Sequence, residues 1–76
     1  MRMPLNYDVK VLYTGKSIRE QRKIPLRQIE QDVHIAKSTV CKWENGICVP
    51  SFMQLAILSK YFDVDWTALI KVESIE

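Results

Sequence analysis

The side chains whose types and spacing bear most on chemistry lie between Ala36 and Gly46. A helix over this segment places Val40 and Trp43 together on one apolar face. Polar and reactive side chains occupy the opposite face, and they are Lys37, Ser38, Cys41 and Lys42. Lysine ammonium groups can donate to guanine O6 and N7, and a serine hydroxyl can serve either type of base. This row of side chains therefore has the chemistry to read base edges in a DNA groove, with a preference for sites that contain guanine.

The two short helices that precede this segment must position the polar row. The spacing of apolar residues predicts a first helix over roughly Thr14 to Lys23, and Val9 to Tyr13 is alternatively a short extended segment. Pro25 suits the first position of a second helix, because its fixed φ and missing N–H are tolerated there. This second helix has one apolar face, formed by Leu26, Ile29 and Val33. A second helix followed within a few residues by a third, with its polar row outward, is typical of a helix-turn-helix that enters the major groove.

The rest of the chain predicts two further helices. Asn45-Gly46 is typical of the left-handed end of a helix. Ser51 can cap a fourth helix, whose apolar positions are Phe52, Leu55, Leu58 and Phe62. Asp65 can cap a last short helix, which runs through Trp66, Leu69 and Ile70. No strand pair with turn chemistry is apparent, so the predicted class is all-α with five short helices.

Length and composition describe one small folded domain. The chain has 76 residues, of which 47% are hydrophobic and 26% are charged, and this is a globular composition of single-domain size. No apolar run approaches the roughly 18 residues of a membrane span, and no secretory signal pattern is present. We therefore expect a cytoplasmic protein with no membrane association.

The inventory of reactive side chains argues against an enzyme or a metal protein. Two cysteines, Cys41 and Cys48, and one histidine, His34, provide neither a disulfide framework nor a four-ligand zinc site. No nucleophile has a histidine and a carboxylate in a matching context, and there is no glycine-rich phosphate loop. We expect no catalysis, no metal, no cofactor and no small-molecule ligand, with His34 acting as a turn residue and Cys41 as a spectator thiol.

Charge is distributed unevenly along the chain. Residues 1–42 carry a net charge of +5 and residues 43–76 a net charge of −3, which together give the overall +2. A molecule of this kind can present a basic face to a polyanion and turn its acidic end away.

Residues 18–70 resemble the Cro and lambda-repressor-like family, also called XRE-like, of small helix-turn-helix DNA-binding regulators. The strongest similarity lies in residues 35–46, I-A-K-S-T-V-C-K-W-E-N-G, which are close to the family pattern V-S-x-S-T-I-S-x-W-E-N-G. Further similarities are Pro50-Ser51-Phe52, the spacing of Leu55 and Leu58, and Asp63-Val64-Asp65-Trp66. The resemblance implies a five-helix DNA-binding domain. The chain is expected to divide into an N-terminal arm at residues 1–10, which shows no sustained helical period, the helix-turn-helix domain at residues 11–71 and a C-terminal tail at residues 72–76.

The resemblance also implies roles for individual side chains. The positions that contact bases are Lys37, Ser38 and Lys42, and those that contact phosphates are Arg27, Thr39 and Asn45. Arg19 and Glu44 are implied to form a partly buried ion pair that joins the first helix to the end of the third. The implied dimer interface is Trp66, Ile70 and Val72. Two alternatives stay open: Asn45 can simply end the third helix, and the apolar tail, including Ile75, can fold back over its own core.

Five positions depart from the family pattern, all of them in or beside the two helices of the motif. Pro25 replaces a Ser or Thr cap, Leu26 replaces a phosphate-binding Gln, Glu30 replaces a small Ala, His34 replaces the turn Gly, and Ala36 replaces a Ser cap. We expect Arg27 to take over the phosphate contact, and either Glu30 to bend outward or the two helices to sit slightly apart. His34 is expected to adopt a left-handed φ.

The sequence thus predicts a DNA-binding regulator of transcription. We expect a homodimer that binds an inverted repeat in double-stranded DNA and acts as a repressor. The alternative is an antitoxin or another protein-interaction module built on the same scaffold.

Overall fold

Four helices and a two-stranded sheet make up residues 9–74, the part of the chain that the computed structural model describes. The elements, in chain order, are β1 (Val9–Tyr13), α1 (Gly15–Gln21), α2 (Leu26–Val33), α3 (Lys37–Glu44), α4 (Phe52–Phe62), a 3-10 turn (Trp66–Ala68) and β2 (Ile70–Ser74). Residues 1–8 of the predicted arm and residues 75–76 of the predicted tail, with Ile75, lie outside the described residues. The helical prediction is confirmed for α1 to α4.

The predicted fifth helix is wrong. Asp65 precedes a single 3-10 turn and its side chain makes no capping hydrogen bond, and the chain then becomes extended from Ile70 onward. The physical reason is the alternation of β-branched and charged residues in β2, which suits a pleated strand once a partner is present. That partner is β1, so the extended alternative for Val9 to Tyr13 is the correct one.

The strands pair antiparallel, with Val11 opposite Val72 and Tyr13 opposite Ile70. The backbone N–H of Thr14 donates to the Leu69 carbonyl at 2.8 Å, which continues the ladder past the strand ends. The strands run through both predicted domain boundaries, since β1 includes residues 9–10 of the arm and β2 includes residues 72–74 of the tail.

The core lies where all the helices and the inner end of the sheet meet. Its fully buried side chains are Ile29, Val40, Trp43, Leu58, Phe62 and Leu69. Tyr13 packs against Trp43 with 5.6 Å between ring centroids, which attaches the sheet to α3. Gly15 is buried directly against the Tyr13 ring, and a Cβ at this position would overlap that ring. Glycine is therefore required where β1 turns into α1.

The fourth helix begins as predicted, at a capping box. The Ser51 hydroxyl accepts from the Gln54 N–H at 3.2 Å, and the Gln54 side chain accepts from the Ser51 N–H at 2.8 Å, so two backbone donors of the first turn are satisfied. Leu55, Leu58 and Phe62 are buried, but Phe52 is 74% exposed. The sequence groups Phe52 with the inward apolar positions of α4, and this is wrong, because the Phe52 side chain lies outside the core.

A hydrogen-bond network joins α2 to α4. The Tyr61 hydroxyl donates to Asp32 Oδ2 at 2.6 Å, and the Gln28 amide donates to both carboxylate oxygens of Asp32 at 2.9 and 3.0 Å. These bonds hold the pKa of Asp32 below its usual 3.8. Burial and the Asp32 carboxylate raise the pKa of Tyr61 to about 12.

This network gives a pH-dependent stability that Tyr61→Phe lowers, because the substitution removes one of the three hydrogen bonds to Asp32. The pKa of Asp32 is lower in the folded chain, so its contribution is present above its unfolded pKa of about 4 and is lost as pH falls through the folded pKa. The pKa of Tyr61 is higher in the folded chain, so its contribution is lost as pH rises from about 10 to 12. We therefore expect Tyr61→Phe to be less stable than the parent chain in urea unfolding at neutral pH. The two should become equally stable below the folded pKa of Asp32, and a difference that persists at the acid end would contradict this account.

Candidate nucleic-acid interface

The turn between α2 and α3 consists of His34, Ile35 and Ala36. His34 adopts φ 61° and ψ 34°, as the sequence predicts, and its N–H donates to the Glu30 carbonyl at 3.0 Å. Ile35 is buried in the core and anchors the turn. The left-handed residue at the end of α2 thus redirects the chain into α3 within three residues, which is the geometry of a helix-turn-helix.

The third helix has one buried face and one bare face. Val40 and Trp43 are 0% and 2% exposed and point into the core. All four members of the polar row are exposed, namely Lys37, Ser38, Cys41 and Lys42. No other part of residues 9–74 covers this row, so it is open to a partner.

The base-contact and phosphate-contact candidates are brought together only in part. A shallow cleft with a volume of about 620 Å³ opens beside the beginnings of α2 and α3. Its lining is Arg19, Pro25, Leu26, Arg27, Lys37, Ser38 and Cys41. Arg27 and Lys37 therefore share one surface with Ser38. Lys42 is exposed further along α3, Thr39 is half-buried, and neither lines this cleft.

Asn45 has a structural task at the end of α3. Its side-chain amide donates to the Cys41 carbonyl at 2.9 Å and lies 3.3 Å from Cys41 Sγ. Gly46 then takes φ 76°, the left-handed conformation expected of it. The Asn45 side chain therefore helps to end the helix.

The departures from the family pattern have local consequences at the start of α2. Pro25 is the residue before the helix, with φ −71° and ψ 155°, so its placement as the first helical residue is wrong by one position. Its missing N–H costs nothing there. Leu26 packs against the core, whereas Arg27 is exposed. Arg27 is thus the side chain at this end of α2 that can reach a phosphate.

Neither Glu30 nor Ala36 prevents α3 from docking. Glu30 is half-buried, yet Ile29 and Val40 on the two facing helices are both 0% exposed. Ala36 precedes α3 without a side-chain capping bond. The position of α3 must therefore be held by packing and by contacts from elsewhere in the chain.

One such contact is an ion pair between Arg19 and Glu44. Arg19 Nε donates to Glu44 Oε2 at 2.7 Å, and Arg19 Nη2 donates to Oε1 at 3.1 Å. Arg19 Nη1 also donates to the Ile24 carbonyl at 3.0 Å. The two side chains are only 14% and 6% exposed, and the hydrogen bonds to Glu44 raise the pKa of Arg19. The pair thus ties α1 and the α1–α2 connection to the last residue of α3.

The three dimer candidates differ in their surroundings. Trp66 and Val72 are 44% and 60% exposed, whereas Ile70 is half-buried and packs against the core. Sequence reasoning missed Val9 and Val11, which share a sheet face with Val72 and are 56% and 38% exposed. The alternation Val9-Lys10-Val11 was the available signal for them.

The described residues offer no obvious place for a metal. Among residues 9–74, no three His, Cys, Asp or Glu side chains are grouped so that they could hold a metal ion. A search of the same residues finds no helix with the length and hydrophobicity needed to cross a membrane.

Two known proteins are similar to this chain, one in structure and one in sequence. A crystal structure described as a candidate DNA-binding protein from Bacteroides fragilis superposes with a TM-score of 0.73 at 20% identity, covering 80% of this chain and 98% of that one. The chain is also 26% identical over 73 residues to the HTH-type transcriptional activator BcrR of Enterococcus faecalis. That alignment covers 96% of this chain but only 33% of the relative, so the chain spans about a third of the relative's length.

A protein family also matches most of the chain. Residues 16–75 match the family described as a helix-turn-helix domain, and this range includes all of α1 except Gly15, the whole of α2 to α4 and all the side chains of the polar row. The resemblance of residues 18–70 to XRE-like regulators is confirmed, and the chain belongs to the helix-turn-helix domain family.

Proposed function

We propose that this chain is a sequence-specific regulator of transcription that binds double-stranded DNA through α3. The observation that carries the proposal is the bare polar row on a helix whose other face is fully buried. A recognition helix must be rigid and must expose its groove-facing side chains before DNA arrives. Packing of Val40 and Trp43, together with the Arg19–Glu44 pair, supplies that rigidity.

The side chains divide into those that read bases and those that position the helix. Lys37, Ser38 and Lys42 are proposed to contact base edges, and the lysines favour guanine. Phosphate contacts are assigned to Arg27, Thr39 and Asn45, which fix the register without reading sequence. Arg27 shares a cleft with Lys37, which supports a joint contact with one DNA strand.

We propose that the regulator works as a homodimer on an inverted repeat. The half-sites would lie about 34 Å apart, one turn of DNA, so that each copy presents its own α3. The C-terminal end of the domain, with Trp66, Ile70 and Val72, is the proposed dimer surface.

We propose repression, through occlusion of a promoter, as the direction of regulation. A relative is named a transcriptional activator, and activation of a reporter by this chain would contradict the repressor proposal.

Selection of bound sequences from a random DNA pool tests this function. We expect an enriched motif that contains guanine, with two inverted halves about one helical turn apart. Arg27 is the cationic member of the proposed phosphate contacts, so one Arg27 in each of two copies contributes about −2 to the slope of log K against log salt. Failure to enrich any sequence, together with an affinity that does not fall with salt, would contradict the proposal.

A protein-interaction module is a second candidate, favoured by an exposed apolar face on α4. Phe52, Met53 and Ile57 are 74%, 70% and 38% exposed, and this face borders a shallow apolar depression of about 420 Å³ lined also by Val33 and Tyr61. Apolar surface of this kind marks contacts with other proteins. Binding through this face would be nearly independent of salt, which separates it from DNA binding.

A further inference from the structure

The sheet ends at an open edge on β2. Among residues 9–74 the sheet has two strands, and β2 pairs with β1 alone. In the register of the sheet Thr14 lies opposite Leu69, and the Thr14 N–H donates to the Leu69 carbonyl. Hydrogen-bonded and non-hydrogen-bonded pairs alternate along an antiparallel ladder. The N–H and C=O groups of Ile70 and Val72 therefore point away from β1, toward the open edge.

The side chains along this edge are self-complementary. Lys71 and Glu73 flank Val72 on the same strand, where Lys71 Nζ lies 3.1 Å from Glu73 Oε2 of its own chain, and their side chains are 62% and 41% exposed. A surface pair of this kind contributes little by itself, so both side chains can turn to a second copy. When a second copy of β2 lies antiparallel with Val72 opposite Val72, Lys71 of each copy faces Glu73 of the other. Opposite charges directly across a strand pair are stabilising and like charges are destabilising. Ile70 then lies opposite Ser74 of the second copy, and the outward backbone groups of the two strands meet.

Other registers do not both place opposite charges across the strand pair and keep the apolar side chains of the two copies on one face. Centring the pair on Lys71 or on Glu73 places like charges opposite each other. A shift by one residue joins the apolar face of one copy to the charged face of the other, because side chains alternate along a strand. The open edge of β1 is not equivalent, since centring it on Val11 places Lys10 opposite Leu12.

We propose that two copies of the chain associate through antiparallel pairing of their β2 strands, which gives a four-stranded sheet in the order β1-β2-β2-β1. This proposal rests on the dimer of the proposed function and gives that dimer its contact surface. The arrangement is closed by two-fold symmetry, so it yields dimers and not fibres. It also joins the exposed Val9, Val11 and Val72 of both copies into one apolar strip. A two-stranded ribbon is marginally stable alone, and four strands support one another.

Proline substitution at Val72 and at Val11, which lie opposite each other, tests which edge of the sheet binds the second copy. Val72→Pro removes an N–H that points away from β1, so the β1–β2 ladder keeps its hydrogen bonds while pairing with a second copy is blocked. Val11→Pro is the matched control, because Val11 lies directly opposite Val72 and its N–H points to the other edge. Sedimentation should show a dimer for the parent chain and for Val11→Pro. Val72→Pro should be monomeric at the same concentration, with circular dichroism confirming its fold.

Charge reversal provides a test that does not depend on tolerance of proline. Lys71→Glu gives two acidic side chains at this edge and Glu73→Lys gives two basic ones, so each variant repels its own copy. Mixed together, the two variants restore both opposite-charge contacts. We expect each variant alone to dissociate at least about tenfold more readily than the parent, and the equimolar mixture to form heterodimers.

Several outcomes would overturn the β2 proposal. They are a parent chain that stays monomeric, a Val72→Pro dimer, dissociation caused by Val11→Pro instead, and a mixture that fails to pair. None of these measurements uses DNA, so they are independent of the proposed function. A dimer that depends on β2 but selects no DNA sequence would remove the function and leave the β2 proposal intact. Sequence-selective DNA binding by a dimer that persists after the β2 substitutions would leave the proposed function intact and remove the β2 proposal.

Discussion

Glu44→Ala is expected to lower the free energy of unfolding by about 3–5 kcal/mol, since breaking one side of a buried ion pair leaves the other charge unpaired. Glu44 accepts two hydrogen bonds from Arg19 and its side chain is 6% exposed. The remaining Arg19 guanidinium would keep only its bond to the Ile24 carbonyl and a 4.0 Å approach to Glu20. Urea unfolding of the parent and variant chains at neutral pH measures the difference.

Glu20→Ala is the matched control for this prediction. Glu20 also lies within 4.0 Å of Arg19, but its side chain is 58% exposed, and surface pairs contribute about 0–1 kcal/mol. The large loss should therefore be specific to Glu44. Equal losses in the free energy of unfolding for the two variants would show that proximity to Arg19, and not burial, determines the contribution to stability. The account would also be wrong if Glu44→Ala unfolded at the same urea concentration as the parent.

The helices could be predicted from sequence because their signals are local. His34 was expected to be left-handed, Ser51 was expected to cap α4, and Gly46 was expected to follow the end of α3, and each assignment depends on residues within one or two helical turns. The inward face of α3, with Val40 and Trp43, follows from helical spacing alone. These features agree with the structure because packing and local preference favour the same conformation.

The sheet could not be predicted in the same way. Ile70 to Ser74 pairs with Val9 to Tyr13 across nearly the whole chain, so no hairpin turn marks the pairing. Leu69 and Ile70 also continue the apolar spacing of a short helix after Trp66, and this local pattern favoured the wrong element. Strand formation there depends on a partner, which is the usual reason that tertiary context overrides propensity.

The candidate site likewise has one part that local sequence patterns predict and another part that they do not. The exposed row on α3 follows from periodicity, but the roles of its side chains came from the family resemblance. The same is true of Arg19 and Glu44, which are 25 residues apart and which no spacing rule connects. Leu26 and Arg27 illustrate what the structure adds, since the first packs on the core and the second stays exposed. Exposure therefore narrows the phosphate candidates at the start of α2 to Arg27.

Lys37→Ala combined with Lys42→Ala is expected to reduce strongly the sequence preference in DNA binding. A good base contact contributes about 1–3 kcal/mol of discrimination, so loss of two contacts should reduce the preference for the selected site over a scrambled duplex by roughly a hundredfold or more. Both lysines are exposed on the bare face of α3, so their removal leaves the core unchanged and the melting temperature close to that of the parent. Fluorescence anisotropy with both duplexes at one salt concentration measures the change.

Two further variants separate base reading from simple attraction between a basic protein and DNA. Lys60→Ala removes one positive charge from α4, away from the polar row, and should leave the preference unchanged. Arg27→Ala should weaken binding to both duplexes alike and reduce the magnitude of the salt slope by about 2, about 1 for the phosphate contact of each copy. Because the three variants remove charge from positions with different proposed roles, a base-reading helix predicts three different results. If the double lysine variant instead weakened both duplexes equally, α3 would be holding the backbone and another surface would have to read the sequence.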